Sequence, residues 1–178
     1  MSEGKELNVK DWITLSSVMI GAVLTILALI WQQPPPSGIV LSTFLLMISF
    51  IFFVNSVSTN SKAYFEAKAG KISDQKLEKW TFFAEYTFGV GFTCVICAFA
   101  ILGYEYLIVF LGGRFLLALI LPITFIVTAL CLMIIYNVIN YDGTLAAFKN
   151  MKRNIWAIIE IVCIVFIILD FAGIIIIP

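Results

Sequence analysis

The amino-acid sequence predicts an all-α polytopic membrane protein, a single-domain bundle of five transmembrane helices with the N-terminus cytoplasmic and the C-terminus outside. Three observations predict it. Hydrophobic residues make up 62% of the 178 residues and charged ones only 12%, with a mean hydropathy of +1.07, whereas a soluble domain is roughly half apolar and about a quarter charged. The apolar residues come in blocks of about twenty, the length a membrane helix needs, rather than in the alternating segments of about ten that a barrel strand uses. The Lys and Arg residues gather beside alternate blocks, which sets the threading.

The polar start MSEGKELNVK reads as lacking a cleaved leader, because the first apolar block is long enough to span and remain. That block, about residues 12–31, has Trp12 and Trp31 at its ends, where aromatic belts sit, and Asp11 as N-cap. Ser17 and Gly21 make a small-xxx-small pair on one face, where another helix can approach. Pro34, Pro35 and Pro36 stop the helix and Ser37 is placed to cap the next one.

The second span covers about residues 38–57. Residues 58–79 then read as a cytoplasmic hairpin, with helices two and three running past the bilayer to a polar tip near Gly70; a plain loop over 58–72 is the competing reading. The third span, about 80–103, carries Glu85, Gly89, Gly91, Cys94 and Cys97. Residues 104–114 are too short and interrupted to span, and predict an outer interfacial segment with Tyr104, Glu105 and Tyr106 toward water. The fourth span, about 115–136, contains Pro122 as a kink. A cytoplasmic linker over 137–154 leads to Asn154 as cap of the fifth span, about 155–177. Threaded N-terminus inside, every one of the 11 Lys and Arg residues except Arg114 lies on the cytoplasmic side.

Candidate functional residues are the three carboxylates inside spans, Glu85, Glu160 and Asp170. A charge at a helix centre costs roughly 2.5 to 3.5 kcal/mol on insertion scales, so such groups face protein, pair or stay protonated. Glu85 lies five residues past Trp80 and Glu160 four past Trp156, so both sit at similar depth; if spans three and five touch, the two can share a proton. A polar path for protons or cations from Glu85 and Glu160 to Asp170 is one reading. A structural ion pair between Asp170 and Arg114, the only outer cation, is the other.

Cys94 and Cys97, in a Cys-x-x-Cys, suggest redox exchange or a soft metal. The short outer connections contain no second cysteine pair. Gly91, Cys94 and Ala98 share one helical face, and a small-residue packing seam is the stronger reading. Asp142 in NYDGT stands alone where magnesium-diphosphate chemistry needs two or more aspartates, and reads as a turn. The absence of histidine argues against most haem, His-ligated metal and Ser-His hydrolase chemistry. No cofactor, metal or nucleic-acid partner is expected. Lys62, Lys68, Lys71, Lys76 and Lys79 are placed to touch anionic lipid headgroups. The leading expectation is a non-catalytic helical subunit of a membrane assembly, with itself or other membrane chains as partners. A small ion or proton channel or transporter is the alternative.

Overall fold

In the computed structural model, residues 3–32, 38–140 and 155–178 are described. Five helices follow one another: α1 (Glu3–Gln32), α2 (Ile39–Lys68), α3 (Asp74–Leu111), α4 (Leu116–Asn140) and α5 (Ile155–Phe171). Four contain stretches long and apolar enough to cross a membrane, in α1 to α4, with mean hydropathies of 2.4, 2.2, 2.3 and 2.8. The proline connection over 33–37, residues 141–154 of the expected linker with Asp142, and the Asn154 cap lie outside the described residues, while 137–140 continue α4.

The chain forms two compact units, Met1–Gln32 with Leu46–Phe92, and Gln33–Leu45 with Thr93–Pro178, so α2 and α3 each contribute to both. Their local chemistry is inside-out. The buried positions of α2 are Ser42, Leu46, Ser49, Phe53, Ser56, Asn60 and Ala63, spaced alternately by four and three residues, while Val40, Phe44, Met47, Ile51, Val54 and Phe65 are exposed. Small and polar residues let backbones approach closely, and lipid solvates large apolar side chains well, so this distribution suits a bilayer. The 3.5-residue spacing is that of a knobs-into-holes seam.

In the first unit, α3 answers that stripe in reverse order. Phe53 meets Phe88 with ring centroids 5.3 Å apart, and Lys62 Nζ lies 5.0 Å from the Trp80 ring centre, so α2 and α3 are antiparallel. α1 closes on both: its Ser16 hydroxyl is 3.2 Å from that of Ser56, and Trp12 packs edge-on against Phe88 at 5.1 Å.

In the second unit, Ser42 Oγ donates to Ala98 O across α2 and α3 at 3.4 Å. α5 lies parallel to α3: Cys163 Sγ donates to Cys97 O at 3.8 Å, and Tyr104 Oη donates to Asp170 Oδ2 at 2.7 Å, both pairs 66 residues apart. Ile126 of α4 joins Ile96, Cys97, Ala100, Ile101, Tyr104, Cys163, Ile167 and Ile177 in the core. α4 continues helical through Pro122.

The helices end differently from where the sequence places their spans. α2 runs on to Lys68 and α3 starts at Asp74, so residues 58–68 are helix rather than loop. α3 does not stop at Gly103 but continues to Leu111; Tyr104 and Glu105, expected toward water, are buried. Facing inward places the Tyr104 ring in the core and pairs its hydroxyl with Asp170, which water exposure would forfeit. At about 1.5 Å per residue the 38 residues of α3 span about 57 Å, nearly twice a hydrocarbon core of about 30 Å. α5 ends at Phe171, six residues short of the expected Ile177, because Gly173 adopts φ +75° and closes a Schellman turn, with Gly173 N–H donating to Asp170 O and Ile174 N–H to Leu169 O. The remaining residues fold back, and Ile177 enters the core.

Candidate functional site

The α3/α5 seam holds two of the three candidate carboxylates, at opposite ends. The buried positions of α5 are Trp156, Glu160, Cys163, Ile167 and Asp170, again spaced by four and three. α3 turns Cys97 and Tyr104 toward them, with Thr93 and Ala100 buried at the same spacing. Its other buried stripe, with Gly91, Cys94 and Ala98, belongs to the α2 side: a Cβ on Gly91 would lie 3.1 Å from Phe52 and from the Phe53 ring, and Ala98 O accepts from Ser42. Cys94 and Cys97 are both buried, but the thiol within hydrogen-bonding reach of Cys97 is that of Cys163, on another helix.

Asp170 is enclosed by donors. Tyr104 Oη donates to Oδ2 at 2.7 Å and Ile177 N–H donates to Oδ1 at 3.0 Å. Arg114 Nη2 lies 3.7 Å from Oδ2, with the arginine side chain 43% exposed and that of Asp170 only 4%. The structure thus brings Arg114 and Asp170 together, and adds Tyr104 and the Ile177 amide, which spacing in the sequence does not reveal. The returning segment goes further. Ile177 O accepts from Gly38 N–H at 3.1 Å and Pro178 O from Leu41 N–H at 3.0 Å, satisfying amides that a helix N-terminus leaves without partners. Gly38 must be glycine here, since it has φ +75° and a Cβ would meet Glu105 Cγ and Ile101 Cγ2 at 2.9 Å.

Glu160 is the opposite case. It is fully buried, and neither carboxylate oxygen has a hydrogen-bond partner among the described residues. Thr93 Oγ1 is likewise buried and unpartnered. Beside this end of the seam, an apolar groove of about 190 Å³ is lined by Leu41, Leu45, Ile101, Ile159, Val162 and Phe166, with the two thiols Cys97 and Cys163.

Glu85 belongs to the first unit, apart from the unit that holds Glu160 and Asp170. It lines a half-open cleft of about 500 Å³ with Val9, Asp74, Leu77, Glu78, Thr81 and Phe82. Asp74, Glu78 and Glu85 share that face of α3. Among the headgroup lysines, Lys62 and Lys76 stack on Trp80 and Lys68 on Tyr64, while Lys71 and Lys79 are exposed. Ser17 and Gly21 are exposed, with nothing within 4 Å of a Cβ on Gly21, so the close approach of α1 inside the chain falls at Ser16 instead. Among the described residues, no group of three or more His, Cys, Asp or Glu side chains is placed to hold a metal ion.

Comparison with protein-family models, curated proteins and solved structures finds no match. The class is therefore defined by the fold alone. The protein is all-helical, with four helices long and apolar enough to cross a membrane, consistent with an integral membrane protein.

Proposed function

We propose that the chain is a non-catalytic helical subunit of a membrane assembly, formed with copies of itself or with other membrane chains. In this reading α5 is a fifth span, the N-terminus is cytoplasmic and the C-terminus is outside, as the placement of the cations favours. The observation that carries the reading is the Asp170 cluster. A carboxylate serving transport has to exchange partners, whereas Asp170 is held by Tyr104, Ile177 N–H and Arg114 at once, and acts as a clasp between helices. Ser17 and Gly21, outward on α1 with open space around Gly21, give a second helix a place to approach. The headgroup lysines hold the hairpin tip against anionic lipid.

The test is purification in mild detergent followed by native mass measurement. A particle containing more than one chain, reduced to single chains by Gly21→Leu without loss of helicity, supports the reading; a monodisperse single chain overturns it. The second reading is a small proton or ion transporter using Glu85, Glu160 and Asp170. It is favoured by the unpartnered oxygens of Glu160, and predicts liposome flux that falls on Glu160→Gln.

A further inference from the structure

We propose that Glu160, enclosed in the α3/α5 seam at the level of Thr93, forms a proton-binding site: the protein carries Glu160 as a neutral carboxylic acid at neutral pH. This goes beyond the subunit reading and does not depend on it.

Geometry carries the inference. Cys97 is held between Ile159 O, 4.0 Å from its thiol, and the Cys163 thiol. Thr93 lies one helical turn before Cys97 on α3, and Glu160 one turn before Cys163 on α5. The parallel register therefore puts both unpartnered groups within a turn of each other, at the same end of the seam. Both are fully buried. A buried ion without a counter-charge is far costlier than a buried neutral group, so a proton resolves the site if no cation reaches it.

No cation does so among the described residues. On α3 the nearest titratable group is Cys97, with Cys94 beyond it; on α5 it is Cys163. Tyr104, Glu105 and Arg114 gather at the Asp170 end, ten residues and about 15 Å further along α5. α4 carries Cys131, which is exposed, and Tyr136 near its C-terminal end, and the α2 segment of this unit has no titratable residue. A metal ion is a poor alternative occupant. Hard cations want six or more oxygen ligands, or a few with several waters, whereas the neighbours here are thiols and one hydroxyl, and among the described residues no three His, Cys, Asp or Glu side chains are placed to hold a softer ion. The Glu160 side chain is itself fully buried, which keeps water from solvating a charge there. Neither Glu160 oxygen is hydrogen-bonded to the Thr93 hydroxyl, so nothing among the described residues of the seam compensates a charge on the carboxylate. Stripping the proton leaves an uncompensated charge, so the seam is stable at neutral pH and loosens as pH rises.

Infrared spectroscopy of the full chain in phosphatidylcholine vesicles tests this. At neutral pH, wild type minus Glu160→Gln is expected to contain the carbonyl band of a neutral carboxyl. A difference containing only carboxylate bands overturns the proposal. Should Glu160→Gln not fold, the protein with both Glu85→Gln and Glu105→Gln serves, since Glu105 is buried as well. An ordinary glutamic acid ionises near pH 4.3, so a neutral-carboxyl band persisting at neutral pH in that background supports the site, and its disappearance overturns it. Failure here leaves the particle mass unchanged, and a single-chain particle leaves the band unchanged, so the two readings fail separately.

Discussion

Removing Arg114 and the charge of Asp170, singly and together, measures what the clasp at the C-terminal end of α5 contributes. Breaking a fully buried ion pair by deleting one partner costs about 3 to 5 kcal/mol, and an exposed pair is worth only about 0.2 to 1 kcal/mol. Here the carboxylate is buried, the guanidinium is almost half exposed, and their separation is 3.7 Å. Arg114→Ala should therefore cost about 1 to 2 kcal/mol, because Asp170 keeps Tyr104 and the Ile177 amide as donors. Asp170→Asn retains an oxygen for one of those donors and should cost about 2 kcal/mol, from the loss of charge-assisted hydrogen bonding. In the Asp170→Asn background the arginine has no anion to meet, so its deletion should cost less than about 0.5 kcal/mol. The cycle then yields a coupling of about 1 kcal/mol. Unfolding in mild detergent, followed by tryptophan fluorescence against denaturant, reads all four proteins. Losses that add to within about 0.5 kcal/mol would refute the clasp, and with it the inference that Asp170 is structural.

The other expectations concern backbone approach and surface chemistry. Tyr104→Phe removes one donor from a buried carboxylate and should lower stability by about 1.5 to 3 kcal/mol in the same unfolding assay. Gly38→Ala should also destabilise, because it meets both a positive φ and contacts of 2.9 Å to Glu105 and Ile101; equal stability would refute that packing. Gly91→Ala presses a methyl against Phe52 and Phe53 at 3.1 Å, whereas Gly89→Ala meets nothing within 4 Å, so thermal scans should separate the two. Replacing Lys71 and Lys79 together by Gln should weaken association of the detergent-solubilised protein with anionic nanodiscs, most visibly at low salt, since a surface lysine contributes about 1 kcal/mol there.

The sequence makes the membrane class and the helical content legible because lipid imposes both through composition and block length alone. Helix ends are less legible. A hydropathy block stops where side chains become polar, but the backbone of α3 continues past Tyr104 and Glu105, which turn into the protein rather than toward water. The reverse happens at Phe171, where apolar isoleucines follow but Gly173 turns the chain back. The seams are within reach. Ser42, Ser49, Ser56, Asn60 and Ala63 repeat at 3.5-residue spacing in the second block, and small or polar residues at that period mark the packed face of a membrane helix. The Ser17 and Gly21 pair on α1 is conspicuous because it is local, while Ser16, which makes the contact inside the chain, is identified only by its partner forty residues away. Cys94 and Cys97 illustrate the same limit: three residues apart in sequence, they serve two different seams of one helix.

α3 carries both seams, and this explains why it is the most buried of the four long helices, with half of its most apolar stretch enclosed against 17 to 28% for the others. A helix packed on two sides has little freedom to rotate, so movement in the second unit is easier for α5 than for α3. The α3/α5 seam is asymmetric in just that respect. At the Asp170 end, one carboxylate gathers a hydroxyl, an amide and a guanidinium, and the returning chain ties α5 to the first turn of α2. At the Glu160 end, two polar side chains are enclosed without partners and the contacts are thiols over an apolar groove. Hydrogen bonds between membrane helices are worth about 0.6 kcal/mol on average, so a cluster of three outweighs the thiol contacts several-fold. Local opening should therefore begin at the Glu160 end and pivot about Asp170. Hydrogen exchange of the α5 amides would report it: faster exchange near Trp156 than near Ile167 agrees with the pivot, and the opposite gradient would place the weak end at the clasp.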